Sequence, residues 1–197
     1  MTAQLIRNFL VTPEDYLEGE LQAETKHEYL SGVVYAMAGG KNVHSQIAVS
    51  TLLALGTRLR SKKCQPFNSD TKIRLRLPVG LRFYYPDVQV VCEPNGPTDT
   101  YQDRPVVVVE VISESTRRTD EGEKLQGYCS LPSLENYLLV ESERALVIGY
   151  RRTPDGFVRE VHPGLDAVIA LPTIGCELPL AEIYERVTFP LPDPTES

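Results

Sequence analysis

The chain has 197 residues, 42% hydrophobic and 24% charged. That is the balance of one globular domain able to bury a core without a metal or disulfide staple. Its net charge of −7, from 27 acidic against 20 basic residues, argues against a protein that coats nucleic acid non-specifically. It leaves room for local binding, because the field at a cleft depends on where the charges lie.

No apolar run reaches the roughly 18 residues of a transmembrane helix, and Met1 to Val11 lacks the apolar core of a signal peptide. A cytoplasmic protein without membrane contact is therefore expected. Residues 1–189 read as a single domain. Residues 190–197, with Pro190, Pro192 and Pro194, read as a flexible tail.

Thr12-Pro13-Glu14-Asp15 predicts a helix start, with Thr as N-cap, Pro in the first turn and acids at the positive end of the dipole. Between Lys26 and Met37, two strand-like runs flank Ser31-Gly32, the pattern of a tight hairpin. Asn42 to Arg60 predicts the longest helix, with Ile47, Leu52, Leu55 and Leu59 at near-helical spacing. Lys72-Ile-Arg-Leu-Arg-Leu77 alternates strictly. Ile73, Leu75 and Leu77 would face a core, and Lys72, Arg74 and Arg76 would line the opposite, solvated face.

Phe83 to Cys92 reads as a strand carrying Tyr85-Pro86-Asp87-Val88. Val106 to Ile112 is almost wholly apolar and suits a central strand buried on both faces. Thr119 to Ser130 predicts a helix weakened by Gly122 and Gly127. Asn136 to Val140 and Ala145 to Arg151 follow as strands. A turn at Thr153-Pro-Asp-Gly156 leads to the strand Phe157 to His162, and Leu180 to Arg186 predicts a short helix. The fold class is α+β, a mixed central sheet flanked by helices. Cys64, Cys92, Cys129 and Cys176 are separated by 28, 37 and 47 positions with no Cys-x-x-Cys pair. Free or buried thiols in a reducing compartment are expected, and no zinc site.

Three residues carry candidate chemistry. Glu110 interrupts an apolar strand, and burying an unpartnered carboxylate costs several kcal/mol. A metal ion, a cation or a sheet edge open to solvent must accompany it. Asp87 follows a proline, which marks a strand end, an edge or a bulge. The third is Lys124, which shares one helical face with Asp120 and Tyr128, either in a solvated ion pair with Asp120 or as part of a site. Two carboxylates can hold Mg²⁺ together with water and phosphate oxygens, and a nearby lysine supplies a fixed positive charge. Ser113, Ser115 and Thr116 are placed to cap the helix that follows Glu110.

Several stretches, taken in order, are more specific than any one of them: His27-Glu-Tyr-Leu-Ser-Gly-Val-Val-Tyr-Ala-Met37, His44, Tyr85-Pro-Asp-Val88, Val109-Glu-Val-Ile-Ser-Glu-Ser-Thr116 and Asp120-x-x-x-Lys124-x-x-x-Tyr128. From about Thr12 to Val187 the chain resembles the Uma-two family of restriction-endonuclease-like proteins, within the PD-(D/E)xK nuclease superfamily. The resemblance implies a Mg²⁺- or Mn²⁺-dependent DNA endonuclease with Asp87 and Glu110 as metal ligands. Glu28 would be a further acid and His44 an auxiliary residue. Lys124 would take the place of the lysine that usually stands two residues after the second acid, where this chain has Ile112. At Asn136-Tyr-Leu-Leu-Val-Glu141, Leu138 stands where the family usually has Trp, a packing change.

Lys72, Arg74 and Arg76 are candidates to track a DNA backbone, joined in a positive rim by Arg58, Arg60 or Arg117. A homodimer is expected by analogy, since cutting two strands suits two copies about a two-fold axis. The alternative is a non-catalytic binding or oligomerisation module that kept the nuclease fold.

Overall fold

The computed structural model describes residues 10–114 and 116–189. Ser115 and the expected flexible tail, residues 190–197, lie outside the described residues. Helix α1 (Pro13–Glu20) opens as its sequence predicts, with the Thr12 hydroxyl accepting the Asp15 N–H. Strands β1 (His27–Leu30) and β2 (Val33–Ala36) form the expected hairpin. Its turn places Ser31 at φ 51° and Gly32 at φ 103°, a left-handed pair that a tight turn requires. Helix α2 (Asn42–Leu59) follows.

The next strands are β3 (Gln65–Asn68), β4 (Lys72–Leu77), β5 (Gly80–Tyr84), β6 (Val88–Val91), β7 (Tyr101–Gln102) and β8 (Pro105–Ile112). A helical stretch comes next, made of α3 (Arg117–Thr119), a π turn (Asp120–Lys124) and α4 (Leu125–Cys129). The chain continues through β9 (Asn136–Glu141), β10 (Leu146–Thr153), β11 (Gly156–Pro163), β12 (Val168–Leu171) and β13 (Cys176–Pro179) to α5 (Leu180–Ile183). No helix among the described residues is long and apolar enough to cross a membrane.

Three sheets form among the described residues. The largest runs β11-β10-β9-β8-β6-β3, the second β2-β1-β5-β4-β7, and the third pairs β12 with β13. Strand β8 is central to the first, antiparallel to β6 and parallel to β9. Its alternation divides the core. Val107, Val109 and Val111 pack with Ile47, Leu55, Leu178 and Ile183 on one side. Val108 and Ile112 pack with Tyr84, Tyr128 and Tyr137 on the other, towards the second sheet. Glu110 belongs to this second face by its period-two position. Leu138 is fully buried in the first cluster. Leu138→Ala is expected to cost about 2–5 kcal/mol of stability, read as a lower urea midpoint with unchanged slope.

Several sequence expectations are corrected here. Phe83 to Cys92 is not one strand. The chain leaves the second sheet at Tyr84 and enters the first at Val88. Pro86 has no N–H to give a ladder, so Tyr85-Pro86-Asp87 forms the crossing between sheets. The short strands β3, β7, β12 and β13 carry too weak a pattern to be foreseen. Strand β3 also overturns the expectation of four free thiols. Its pairing of Gln65 with Val91 sets Cys64 opposite Cys92, and these two form a disulfide, leaving Cys129 and Cys176 free.

The basic stripe on β4 is not solvated as expected. Lys72 is only 3% exposed, and its ammonium donates to the Tyr85 hydroxyl at 3.0 Å. Arg74 is held by both Asp103 carboxylate oxygens and lies over the Tyr101 ring. Arg76 is exposed, and Leu77 is only half-buried. Strand β7 and its flanking residues cover this face, which local alternation does not reveal.

Candidate active site

The ladder between β6 and β8 pairs Val88 with Val109 and Gln89 with Val108. One step further along the same antiparallel register sets Asp87 against Glu110, on one face. Two groups fix the Asp87 carboxylate. Its Oδ2 accepts the Val111 N–H at 2.7 Å, and His44 Nε2 lies 2.8 Å from Oδ1. That contact brings the first turn of α2 to the site. The hydrogen bond to Asp87 holds the His44 imidazole above its ordinary pKa, against the opposing effect of burial.

Lys124 stands at the centre of the acidic group. Its Nζ lies 3.0 Å from Glu28 Oε1, 3.2 Å from Glu110 Oε1 and 3.4 Å from Asp120 Oδ1. It is 7% exposed and Glu110 is 4% exposed. The Lys124–Asp120 pair is therefore a buried contact and not the surface ion pair that the i,i+4 spacing also allowed. The Tyr128 hydroxyl donates to Glu110 Oε1 at 3.0 Å. Tyr84 supplies an aromatic face 5.6 Å from Lys124 Nζ.

The π turn is the local device that presents Asp120 and Lys124 inward. Such turns widen one helical turn and recur at functional sites. In the sequence Asp120 reads only as an ion-pair partner of Lys124. Its place on one face with Lys124 and Tyr128 was the signal for a larger role. Thr116 does not cap the helix by its side chain. Its hydroxyl instead accepts the Ser113 N–H and steadies the loop beyond Glu110.

The electrostatics follow from burial and crowding. Burial raises Glu110 well above the usual carboxylate range. Lys124 opposes the rise, and Asp120, Asp87 and Glu28 add to it. Asp120 is raised for the same first reason, burial. Burial alone would lower Lys124, but Glu110, Glu28 and Asp120 outweigh it and hold the ammonium charged.

These groups line a cavity of about 420 Å³ together with Tyr35, Met37 and Ala38. Among the described residues no three His, Cys, Asp or Glu side chains form a ready-made metal cage; the ammonium of Lys124 sits amid the acids instead. Mg²⁺ does not require such a cage, since it binds through one or two carboxylates and keeps water and phosphate oxygens. The acids present suit that mode. Glu28 Oε1 is buried, and its near neighbour among the described residues is the Lys124 ammonium at 3.0 Å. Glu110 Oε2 accepts no hydrogen bond among the described residues, both donors being on Oε1. Four acids face one lysine and one histidine, an excess of negative charge that a divalent cation would balance.

The expected positive rim does not assemble. Arg58 is bound to Glu182, and Arg117 to Glu141 and Glu121. Lys72 and Arg74 are engaged inside the second sheet and at its β7 edge. Arg60 and Arg76 remain exposed.

Fold and site define a restriction-endonuclease-like α+β protein with a lysine-centred acidic cavity. The chain belongs to the Uma2 family, described as "Putative restriction endonuclease", whose model matches residues 13–181. It is 35% identical over 181 residues to the uncharacterized protein slr1290 of Synechocystis sp., covering 91% of this chain and 94% of that protein. It is 29% identical over 149 residues to the uncharacterized protein sll1609 of the same organism, covering 74% and 83%. A crystal structure from Anabaena variabilis, of a "putative nuclease belonging to DUF820", matches with a TM-score of 0.67 at 16% identity. The match covers 85% of this chain and 96% of that one. At that identity the likeness is one of fold.

Proposed function

We propose that the protein is a Mg²⁺- or Mn²⁺-dependent endonuclease that hydrolyses DNA phosphodiester bonds. The observation that carries the reading is the convergence of Glu28, Asp87, Glu110 and Asp120, from four separate segments, at one cavity holding Lys124. Asp87 and Glu110 would hold the cation, Asp87 through lone pairs left over from Val111 and His44, and Glu110 through Oε2. When bound, the cation supplies positive charge against the phosphate and lowers the pKa of water.

The chain's own residues supply the rest. Lys124 holds a fixed positive charge where the phosphoryl oxygens gain negative charge. The Glu28 carboxylate, which lines the cavity, accepts the proton of the attacking water. The water oxygen bonds to phosphorus, the bond to the leaving deoxyribose oxygen breaks, and that oxygen takes up a proton from solvent. His44 orients Asp87 without touching substrate.

The test is a supercoiled-plasmid nicking assay with Mg²⁺, Mn²⁺ or EDTA. Metal-dependent conversion to open circles is expected. Intact plasmid under every metal condition, with protein shown to be folded, would reject the reading in favour of a non-catalytic module. His44→Ala is expected to raise the half-saturating Mn²⁺ concentration about 10–100-fold, the usual cost of losing a partner that orients a metal-binding side chain.

A further inference from the structure

Tyr35 is 53% exposed, and the other nine of the ten tyrosines are buried or half-buried. Its side chain makes no ring contact or hydrogen bond among the described residues. Strand register sets its direction. Tyr35 lies directly opposite Glu28 across the β1–β2 pair, and opposed residues project from the same face with Cβ atoms about 4.5–5.5 Å apart. The Glu28 carboxylate reaches Lys124, so the Tyr35 ring rises on the site's side of the hairpin and lines the cavity beside Met37. Lys41, exposed and without an acidic partner among the described residues, lines the same cavity at the start of α2.

Two further facts select the substrate. Duplex binding draws most of its affinity from many phosphate contacts. Here Lys72, Arg58, Arg74, Arg82 and Arg117 are buried or already paired with acids. The carboxylates also lie at the floor of a cavity of about 420 Å³, near the small end of the roughly 300–1,000 Å³ range of ligand pockets. Such a space suits one nucleotide unit and not a groove. An exposed ring beside it offers what single strands use, a stacking platform tolerant of sequence.

The geometry points to an unpaired DNA strand as the substrate, with the base next to the scissile phosphate stacked on Tyr35 and Lys41 at a neighbouring phosphate. This inference rests on the nuclease reading of the same site.

The test measures fluorescence anisotropy with Ca²⁺ in place of Mg²⁺, using a labelled single strand, its duplex and an abasic strand with the same phosphates. The single strand should bind at least about tenfold tighter than either of the others. Tyr35→Ala should weaken single-strand binding about 10–100-fold, leave the abasic strand unaffected, and be rescued by Tyr35→Phe. A duplex bound as tightly as the single strand, or a silent Tyr35→Ala, overturns the inference. Tighter binding of an RNA strand of the same sequence overturns the assignment to DNA. A Mn²⁺ cleavage assay on the same strands separates the two readings. Cleavage of duplex but not single strand sinks this inference and leaves the nuclease standing, whereas folded protein that neither binds nor cleaves any strand sinks both.

Discussion

Glu110→Gln protein is expected to stay folded and to lose DNA cleavage by at least about a hundredfold, the scale on which removal of one charge-organising group slows a reaction. The substitution keeps the shape of the side chain and the Oε1 acceptor that Lys124 and Tyr128 use. It removes the negative charge at Oε2 on which the cation depends. Stability should stay within about 1 kcal/mol of the unmodified protein, because four acids share one lysine and losing one relieves repulsion. Lys124 is not left alone, since Glu28 and Asp120 remain at 3.0 and 3.4 Å. Parallel urea melts and nicking assays check both halves. Cleavage that survives in Glu110→Gln would remove Glu110 from the chemistry.

Lys124→Met should instead act on stability. The methionine fills the space of the lysine stem, but the charge that compensates Glu28, Glu110 and Asp120 is gone. Breaking a buried ion pair from one side costs about 3–5 kcal/mol, because the abandoned charge stays buried. The variant should melt well below the unmodified protein in EDTA. A divalent cation that binds only the folded form should return part of the loss, about 2.7 kcal/mol at a hundred times its dissociation constant. Thermal melts with and without Mn²⁺ measure this. A Lys124→Met protein as stable as its parent would show that the acids are already protonated and that Lys124 is not their counter-charge.

The two substitutions are expected to differ in their effect on stability because the site carries more acid than base. That imbalance was only partly legible in the sequence. Glu110 was conspicuous because one carboxylate in an apolar strand has a physical cost wherever the strand lies. Helix α1, the β1–β2 hairpin, helix α2 and the central strand β8 were equally readable. Each is specified by local causes: an N-cap with a first-turn proline, a left-handed turn, a helical apolar period and a run suited to burial on both faces.

Other features depend on partners distant in sequence. The alternation of Lys72, Arg74 and Arg76 shows which residues share a face, but not that Tyr85, Tyr101 and Asp103 cover it. The Cys64–Cys92 disulfide follows from the pairing of β3 with β6, and β3 has too few residues to signal itself. Asp120 enters the acidic group through a π turn, which residue spacing does not distinguish from an α-helix. By itself the sequence determined the family, the order of most elements and the residue types able to hold a cation. Only the tertiary structure decided which charges are buried together and which basic residues are already bound to acids. The energy of a charge depends on its neighbours and its distance from water, and both are set when separate strands are packed against one another.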